Sequence, residues 1–92
     1  MKIRITVNGQ ALVGSLDDTA AARDFASQLP MSLTLEDYAA TEKINYLPVK
    51  LSTADAPRGM DPAVGDITYY APWGNLAIFY RDAPYAAGLV KL

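Results

Sequence analysis

Apolar and polar side chains alternate at the beginning of the chain, over residues 2–7. This period of two is typical of a β-strand that buries one face and exposes the other. Asn8 and Gly9 follow, and this pair tolerates the positive φ angles of a type I′ turn. Residues 11–16 can then return beside the first strand. The pattern therefore predicts an N-terminal β-hairpin.

The period changes in the next segment, where apolar residues recur from Ala22 to Leu29 at spacings of three, four and seven. Such spacing places them on one side of a helix, which can pack against a sheet. Asp17 and Asp18 precede this stripe, and their carboxylates are suited to accept hydrogen bonds from the first free amides of a helix. We therefore predict a helix that these two residues cap and that Pro30 ends.

Most of the remaining chain returns to the alternation that is typical of strands. The predicted strands cover residues 31–35, 42–47, 66–71, 76–81 and 88–92. Residues 36–40 are predicted to form a turn or a single helical turn, and residues 72–75 a tight connection between two antiparallel strands. Residues 48–65 are rich in proline, glycine and aspartate, which predicts a long surface loop. The expected fold is mainly β with one clear helix.

The composition sets limits on size and partners. A chain of 92 residues has the size of one domain, and its 51% hydrophobic residues are enough for one core. Eight basic and ten acidic residues give a formal net charge of -2. This balance offers no positive surface to phosphate backbones or anionic membranes. We expect neither nucleic acid nor a membrane among the partners.

Two residue types that carry much of protein chemistry are missing, because the sequence has no cysteine and no histidine. Disulfides, thiol nucleophiles, Ser-His catalysis and the commonest zinc ligands are therefore excluded. We expect no metal and no cofactor. The first residues alternate in charge instead of leading into an apolar signal segment, and no run approaches the ~20 apolar residues of a membrane span. The expected location is the cytoplasm.

Residues 42–48, 65–67 and 70–80 carry a family resemblance. In these segments the sequence resembles the uncharacterised bacterial cyclophilin-like proteins, and a weaker similarity extends over essentially the whole chain. The resemblance implies a single domain, residues 1–92, folded as a small cyclophilin-like β-barrel that is closed or nearly closed. Members of that family usually continue a little beyond the strand that ends at Leu92. The domain is therefore expected either to end there or to lack a final C-terminal segment.

True cyclophilins isomerise X-Pro peptide bonds in a pocket that supplies an arginine, a histidine and apolar walls. When the strand that carries the arginine is matched, this sequence has Asn45 at that position, and it has no histidine. By the same resemblance, Phe79 and Tyr85 correspond to the phenylalanine and the tryptophan of the pocket. The resemblance thus implies the fold without the isomerase site, since one fold hosts many functions. We expect no catalytic residue.

Aromatic residues concentrate in the predicted hairpin of residues 66–81, where they can line a pocket or pack the core. The predicted ligand-binding residues are Tyr46, Arg58, Tyr70, Trp73, Asn75 and Phe79. Each has an alternative role: packing for the aromatic residues, a turn role for Asn75, and solvation for Arg58. Alternation also sends Tyr69 and Tyr70 to opposite faces of their strand. The pocket can therefore hold only part of the aromatic set.

Glu42 is a candidate of another kind. Alternation places it on the same strand face as Tyr46, where a buried carboxylate beside tyrosines could act as an acid or base. A glutamate at the beginning of a strand is more often exposed or paired with a lysine. Glu42 is therefore not included in the predicted site.

These observations favour a non-catalytic module that binds a small molecule or a peptide segment. A weak peptidyl-prolyl isomerase is one alternative hypothesis. A structural or self-association module is another, since hydrophobic strand segments lie near the C-terminus and an exposed strand edge promotes association. We expect a monomer or a weak homo-oligomer.

Overall fold

The computed structural model describes all residues, 1–92, and shows a mainly β fold with one helix. Its elements are β1 Lys2–Val7, β2 Gln10–Ser15, α1 Ala20–Ser27, β3 Glu36–Tyr38, β4 Glu42–Tyr46, β5 Gly59–Met60, β6 Ile67–Tyr70, β7 Asn75–Phe79, β8 Ala86–Ala87 and β9 Leu89–Lys91. No helix has the length and apolar character that crossing a membrane requires.

The strands form three separate antiparallel sheets. β1 pairs with β2, β5 pairs with β8, and the other five strands form one sheet in the order β3-β4-β7-β6-β9. A barrel requires an unbroken ladder of hydrogen bonds around its circumference. No sheet closes on itself here, because β3 and β9 each pair on one side only. The mainly β fold with one helix is confirmed, whereas the closed or nearly closed barrel is not.

The N-terminal hairpin forms as predicted. Asn8 and Gly9 have φ angles of 50° and 79°, so both adopt the left-handed region that a type I′ turn requires. Gly14 on β2 lies against the five-stranded sheet: a Cβ atom there would be 3.2 Å from Cδ1 of Ile67. The missing side chain therefore allows the hairpin to pack closely on β6.

The helix has a different cap from the predicted one. Thr19 is the N-cap residue, and its hydroxyl oxygen accepts a hydrogen bond from the amide of Ala22 at 3.1 Å. The prediction that Asp17 and Asp18 cap the helix is wrong. The carboxylate of Asp18 instead pairs with Arg23 at 2.6 Å, on the surface. Because the helix begins at Ala20, Thr19 occupies the N-cap position, whereas Asp17 and Asp18 lie too far back to reach the free amides of the first turn.

Two predictions for residues 31–40 also need correction. Met31, Leu33 and Leu35 do alternate with exposed residues and pack on the core, but residues 31–35 form no strand. The predicted turn at 36–40 begins with strand β3, which pairs with β4. Alternation shows which side chains point toward the core. A β-strand also requires a neighbouring strand that forms hydrogen bonds with its backbone. Only β3 has one.

The five-stranded sheet has a core on each face. The main core contains ten buried residues, including Phe25 of α1, Tyr69 of β6 and Leu76 of β7. The second core has three buried residues, Ala77, Phe79 and Leu89. Tyr69 and Tyr70 lie on opposite faces, as the alternation predicts, because Tyr70 packs on the second core. The face opposite α1 is thus the less filled one.

Candidate functional site

A cavity of about 260 Å³ lies on the face of the five-stranded sheet opposite α1. We call it the aromatic pocket. Its aromatic walls are Tyr38, Tyr70, Trp73, Phe79 and Tyr85, and its polar side chains besides the tyrosines are Glu42 and Asn75. Pro62 and apolar residues of 83–89 complete the lining. This mixture of apolar walls and a few polar groups is typical of ligand sites.

The strand register places two rows of pocket residues side by side. Glu42 on β4 is paired with Tyr38 on one side and with Phe79 on the other. Asn75 on β7 is paired with Tyr70 on β6. Paired residues in an antiparallel sheet share a face, so these side chains converge on one surface.

Trp73 closes one side of the pocket from the turn between β6 and β7. Its ring lies 5.3 Å from that of Tyr70 and 5.5 Å from that of Tyr38, at interplanar angles of 82° and 86°. These edge-to-face contacts are favourable aromatic geometry. They connect a turn residue to β3 across the sheet. Because Trp73 is 44% exposed, the contacts hold the ring without burying it.

Asn75 presents an unusual polar group for a buried position. Its residue is only 3% exposed, and its Oδ1 atom has no hydrogen-bond partner. Asn75 lies in β7 and does not have a positive φ, whereas Gly74 has a φ of 68° and supplies the turn conformation. The alternative that Asn75 is present for an unusual φ is therefore wrong. A buried acceptor without a partner costs about 1–3 kcal/mol.

Glu42 supplies the only carboxylate of the pocket. Partial burial raises the pKa of this carboxyl above its ordinary value of 4.5, against the opposing effect of a hydrogen bond from the Thr41 hydroxyl at 3.2 Å. Lys43 does not pair with it: this lysine turns to the other face of β4 and lies 3.7 Å from Asp37. No lysine or arginine lines the pocket. The negative charge of Glu42 therefore has no partner within the pocket.

On the opposite face of β3 and β4, the hydroxyl of Tyr80 donates a short hydrogen bond to Asp37. This bond is the main cause that lowers the pKa of Asp37 and raises the pKa of Tyr80. Lys43 and Arg81 each lie 5.9 Å from the ring of Tyr80. The basic side chains near the pocket are therefore engaged outside it.

A family model described as the Cyclophilin-like family matches residues 5–92. The chain belongs to the cyclophilin-like family. No curated protein and no solved structure matches it. The resemblance predicted from residues 42–48, 65–67 and 70–80 is confirmed at the level of the family.

Four of the six predicted ligand residues of this cyclophilin-like protein lie together in the aromatic pocket: Tyr70, Trp73, Asn75 and Phe79. The other two lie outside its lining. Tyr46 is paired with Asn75 in the register but is 64% exposed at the rim of the sheet. Arg58 is exposed in the loop before β5, where its carbonyl accepts the amide of Gly88 at 2.7 Å. Ligand contact by any of the six stays a prediction.

Of the aromatic and polar side chains that line the pocket, three were not included in the predicted site: Tyr38, Glu42 and Tyr85. Tyr38 was not predicted as a site residue because residues 36–40 have the composition of a turn. In the structure, strand β3 places Tyr38 beside Glu42. The alternation of β4 did indicate Glu42, because it places this residue on the same strand face as Tyr46, which was a predicted site residue. Tyr85 was pointed out only by the family resemblance, because the segment that carries it has no strand alternation. It is 57% exposed at the pocket wall.

Asn45, which the resemblance matches to the cyclophilin arginine, does not enter the pocket. Its register partner is Leu76, which belongs to the main core on the other face. Its side-chain amide donates to the carbonyl of Thr34 at 2.5 Å. In this cyclophilin-like protein the β4 side chain that lines the pocket is the carboxylate of Glu42.

A larger cavity, of about 410 Å³, lies between the beginning of α1 and the loop before β5. It is lined by charges of both signs, among them Asp18 and Arg23, which already pair with each other. No buried polar atom of its lining lacks a partner. Neither cavity contains a group of three or more acidic residues that could hold a metal ion. The aromatic pocket is therefore the better candidate site.

Proposed function

We propose that this cyclophilin-like protein is a non-catalytic binding module that holds a small molecule, or one side chain of a peptide, in the aromatic pocket. The observation that carries the proposal is Asn75, whose buried Oδ1 has no partner beside an open cavity. A buried polar group that lacks a partner destabilises the free protein. A ligand with a hydrogen-bond donor toward which the amide turns would remove that cost when it binds.

The size of the pocket supports a small ligand group. Its volume of about 260 Å³ is slightly below the range of roughly 300–1,000 Å³ typical of drug-sized ligands. The tyrosine hydroxyls and the Asn75 amide can orient such a group, while Trp73 and Phe79 supply apolar contact. Both occupants, a metabolite and a peptide side chain, fit this description.

We also propose that the three sheets together form the wall of a cyclophilin-like barrel. Gly14 brings the hairpin against Ile67, and the amide of Asp17 donates to the carbonyl of Leu92 at 2.5 Å, next to β9. These contacts support an arrangement of sheets around one interior, without a continuous ladder.

Intrinsic fluorescence tests the binding proposal, because Trp73 is the single tryptophan of the chain and lies in the pocket wall. A library of metabolites and short peptides would be screened for a change in its emission and in the melting temperature. We expect at least one compound to change both. Asn75→Ala should weaken that compound at least fivefold without destabilising the free protein.

Asn45→Ala is the matched control, because it removes an amide from the other face of the sheet. We expect it to leave the affinity unchanged. A library that never changes the emission or the melting temperature would overturn the proposal. Equal affinity in the Asn75→Ala and wild-type proteins would do the same.

The isomerase and self-association alternatives have separate tests. A proline-limited refolding assay should show no acceleration at high protein concentration, because Asn45 lies away from the pocket. Sedimentation should show a concentration-independent monomer, since Leu89, Val90 and Leu92 near the C-terminus are all buried. Acceleration in the first assay or association in the second would support the corresponding alternative.

A further inference from the structure

We infer that the group held in the aromatic pocket is an organic cation of the alkylammonium class. This inference rests on the proposed function, because it specifies the ligand of the same pocket. It combines three features of the lining: one carboxylate without an ion-pair partner, two tyrosine rings nearly perpendicular to the ring of Trp73, and a buried hydrogen-bond acceptor without a partner.

The charge of the lining is the first feature. Glu42 is the only charged side chain of the pocket, and no basic residue faces it there. The basic residues that follow Glu42 and Phe79 in sequence are engaged elsewhere: Lys43 pairs with Asp37, and Arg81 lies 5.9 Å from the ring of Tyr80. A partly buried carboxylate gains most from a ligand of opposite charge, because the surrounding protein screens the pair less than water does.

The arrangement of the rings is the second feature. Tyr38 and Tyr70 contact Trp73 with ring planes near a right angle to it, at 86° and 82°. These three rings line one cavity together with Phe79 and Tyr85. Such aromatic cages bind alkylated ammonium groups, and tryptophan provides the strongest single contact. Lys43 and Arg81 lie near the ring of Tyr80 instead, and no lysine or arginine of the protein lines the pocket.

The third feature is the buried acceptor. Oδ1 of Asn75 is without a partner, and Asn75 lies beside Tyr70 in the sheet register. If the Asn75 amide turns toward the cavity on binding, an N–H of a primary ammonium group, or a hydroxyl beside a quaternary one, would donate to this oxygen. An anionic ligand has no such use for an acceptor and would be repelled by Glu42. The three features therefore favour a cation over a neutral or anionic ligand.

The test uses two pairs of probes that have nearly the same shape and differ in charge. Choline is paired with 3,3-dimethyl-1-butanol, and butylammonium is paired with 1-butanol. Each is titrated at constant ionic strength into the full chain, with Trp73 emission and calorimetry as readouts. We expect at least one cation to bind ten times more tightly than its neutral partner.

Glu42→Gln keeps the shape and removes the charge, and we expect it to weaken the preferred cation at least fivefold. Glu36→Gln is the matched control: it removes the same charge from β3, next to the pocket but outside its lining, and should change the affinity less than twofold. Trp73→Leu, followed by calorimetry, is a second variant that should also weaken the cation. It keeps the test decisive if Glu42→Gln folds poorly.

The possible results separate this inference from the proposed function. A preference for cations that depends on Glu42 supports both. If neutral or anionic compounds change Trp73 emission while neither cation is preferred, the cation inference is overturned and the binding module stands. If no compound of the library and no probe binds, both are overturned.

Discussion

The two faces of the five-stranded sheet are built from the same strands, yet they differ in how completely they are filled. On the α1 face, ten buried residues form the main core, and the hydroxyl of Tyr69 accepts a hydrogen bond from the amide of Leu51 at 3.2 Å. On the other face only three residues are fully buried in the core, and Asn75 keeps an unpartnered oxygen. The α1 face holds most of the buried core, although a cavity of about 210 Å³ opens beside Phe25 and Leu76 and the Nε2 atom of Gln28 has no hydrogen-bond partner. The other, open face is less filled.

This difference separates stability from function in one small domain. Residues that stabilise the fold are expected to lie mainly on the α1 face, where most of the buried side chains are. Groups that destabilise the free protein, namely the unpaired acceptor of Asn75 and the partly buried carboxyl of Glu42, lie together on the open face. Groups that destabilise the free protein often lie together at binding sites.

The largest expected effect contrasts Phe25 with Trp73. Phe25→Ala should lower the free energy of unfolding by about 3–5 kcal/mol, because it opens a cavity in the main core. Trp73→Leu should cost less, about 1–2 kcal/mol, because the ring is 44% exposed and loses mainly its two edge-to-face contacts. Urea denaturation of both variants measures the difference. Equal losses of unfolding free energy in the two variants would show that Trp73 on the open face stabilises the fold as much as Phe25 in the main core.

A finer contrast uses two neighbours on β6. Tyr69→Phe removes the acceptor of the buried Leu51 amide and should cost about 1–3 kcal/mol. Tyr70→Phe removes a hydroxyl that makes no hydrogen bond within the protein, and should change stability by less than about 0.5 kcal/mol. The two substitutions are chemically identical, so each is the control for the other. A larger loss for Tyr70→Phe would contradict the comparison of the faces.

The smallest effect concerns Glu42 and depends on pH. Burial raises the pKa of this carboxyl, so the folded state favours the protonated form. Its contribution to stability is present below the ordinary value of 4.5 and is lost as pH rises through the raised pKa. Glu42→Gln should therefore raise the melting temperature at pH 7 slightly, with no gain below that ordinary value.

Thermal unfolding between pH 3 and pH 8 measures this dependence, with Glu36→Gln as the exposed control. We expect the control to change stability by less than about 0.5 kcal/mol throughout. A gain for Glu42→Gln that persists at pH 3 would show that the carboxyl is not the cause. The same substitution is expected to weaken cation binding, so stability and affinity should change in opposite directions.

The sequence alone determined the elements that depend on short-range chemistry. Asn8 and Gly9 specify a hairpin because few residue pairs tolerate two positive φ angles. The period of residues 22–29 specifies a helix, and alternation correctly separates Tyr69 from Tyr70. Four of the six predicted site residues reach the pocket for the same reason, since they lie on or beside the hairpin of β6 and β7.

Only the tertiary structure decided which segments become neighbours. β3 is a strand because β4 lies beside it, while residues 31–35, with a clearer alternation, have no partner. The same pairing brings Tyr38 to Glu42 and leaves Tyr46 at the rim. A periodic pattern encodes the direction of a side chain, but it contains no information on what covers the face toward which that side chain points. The pocket exists because the face opposite α1 is only partly covered.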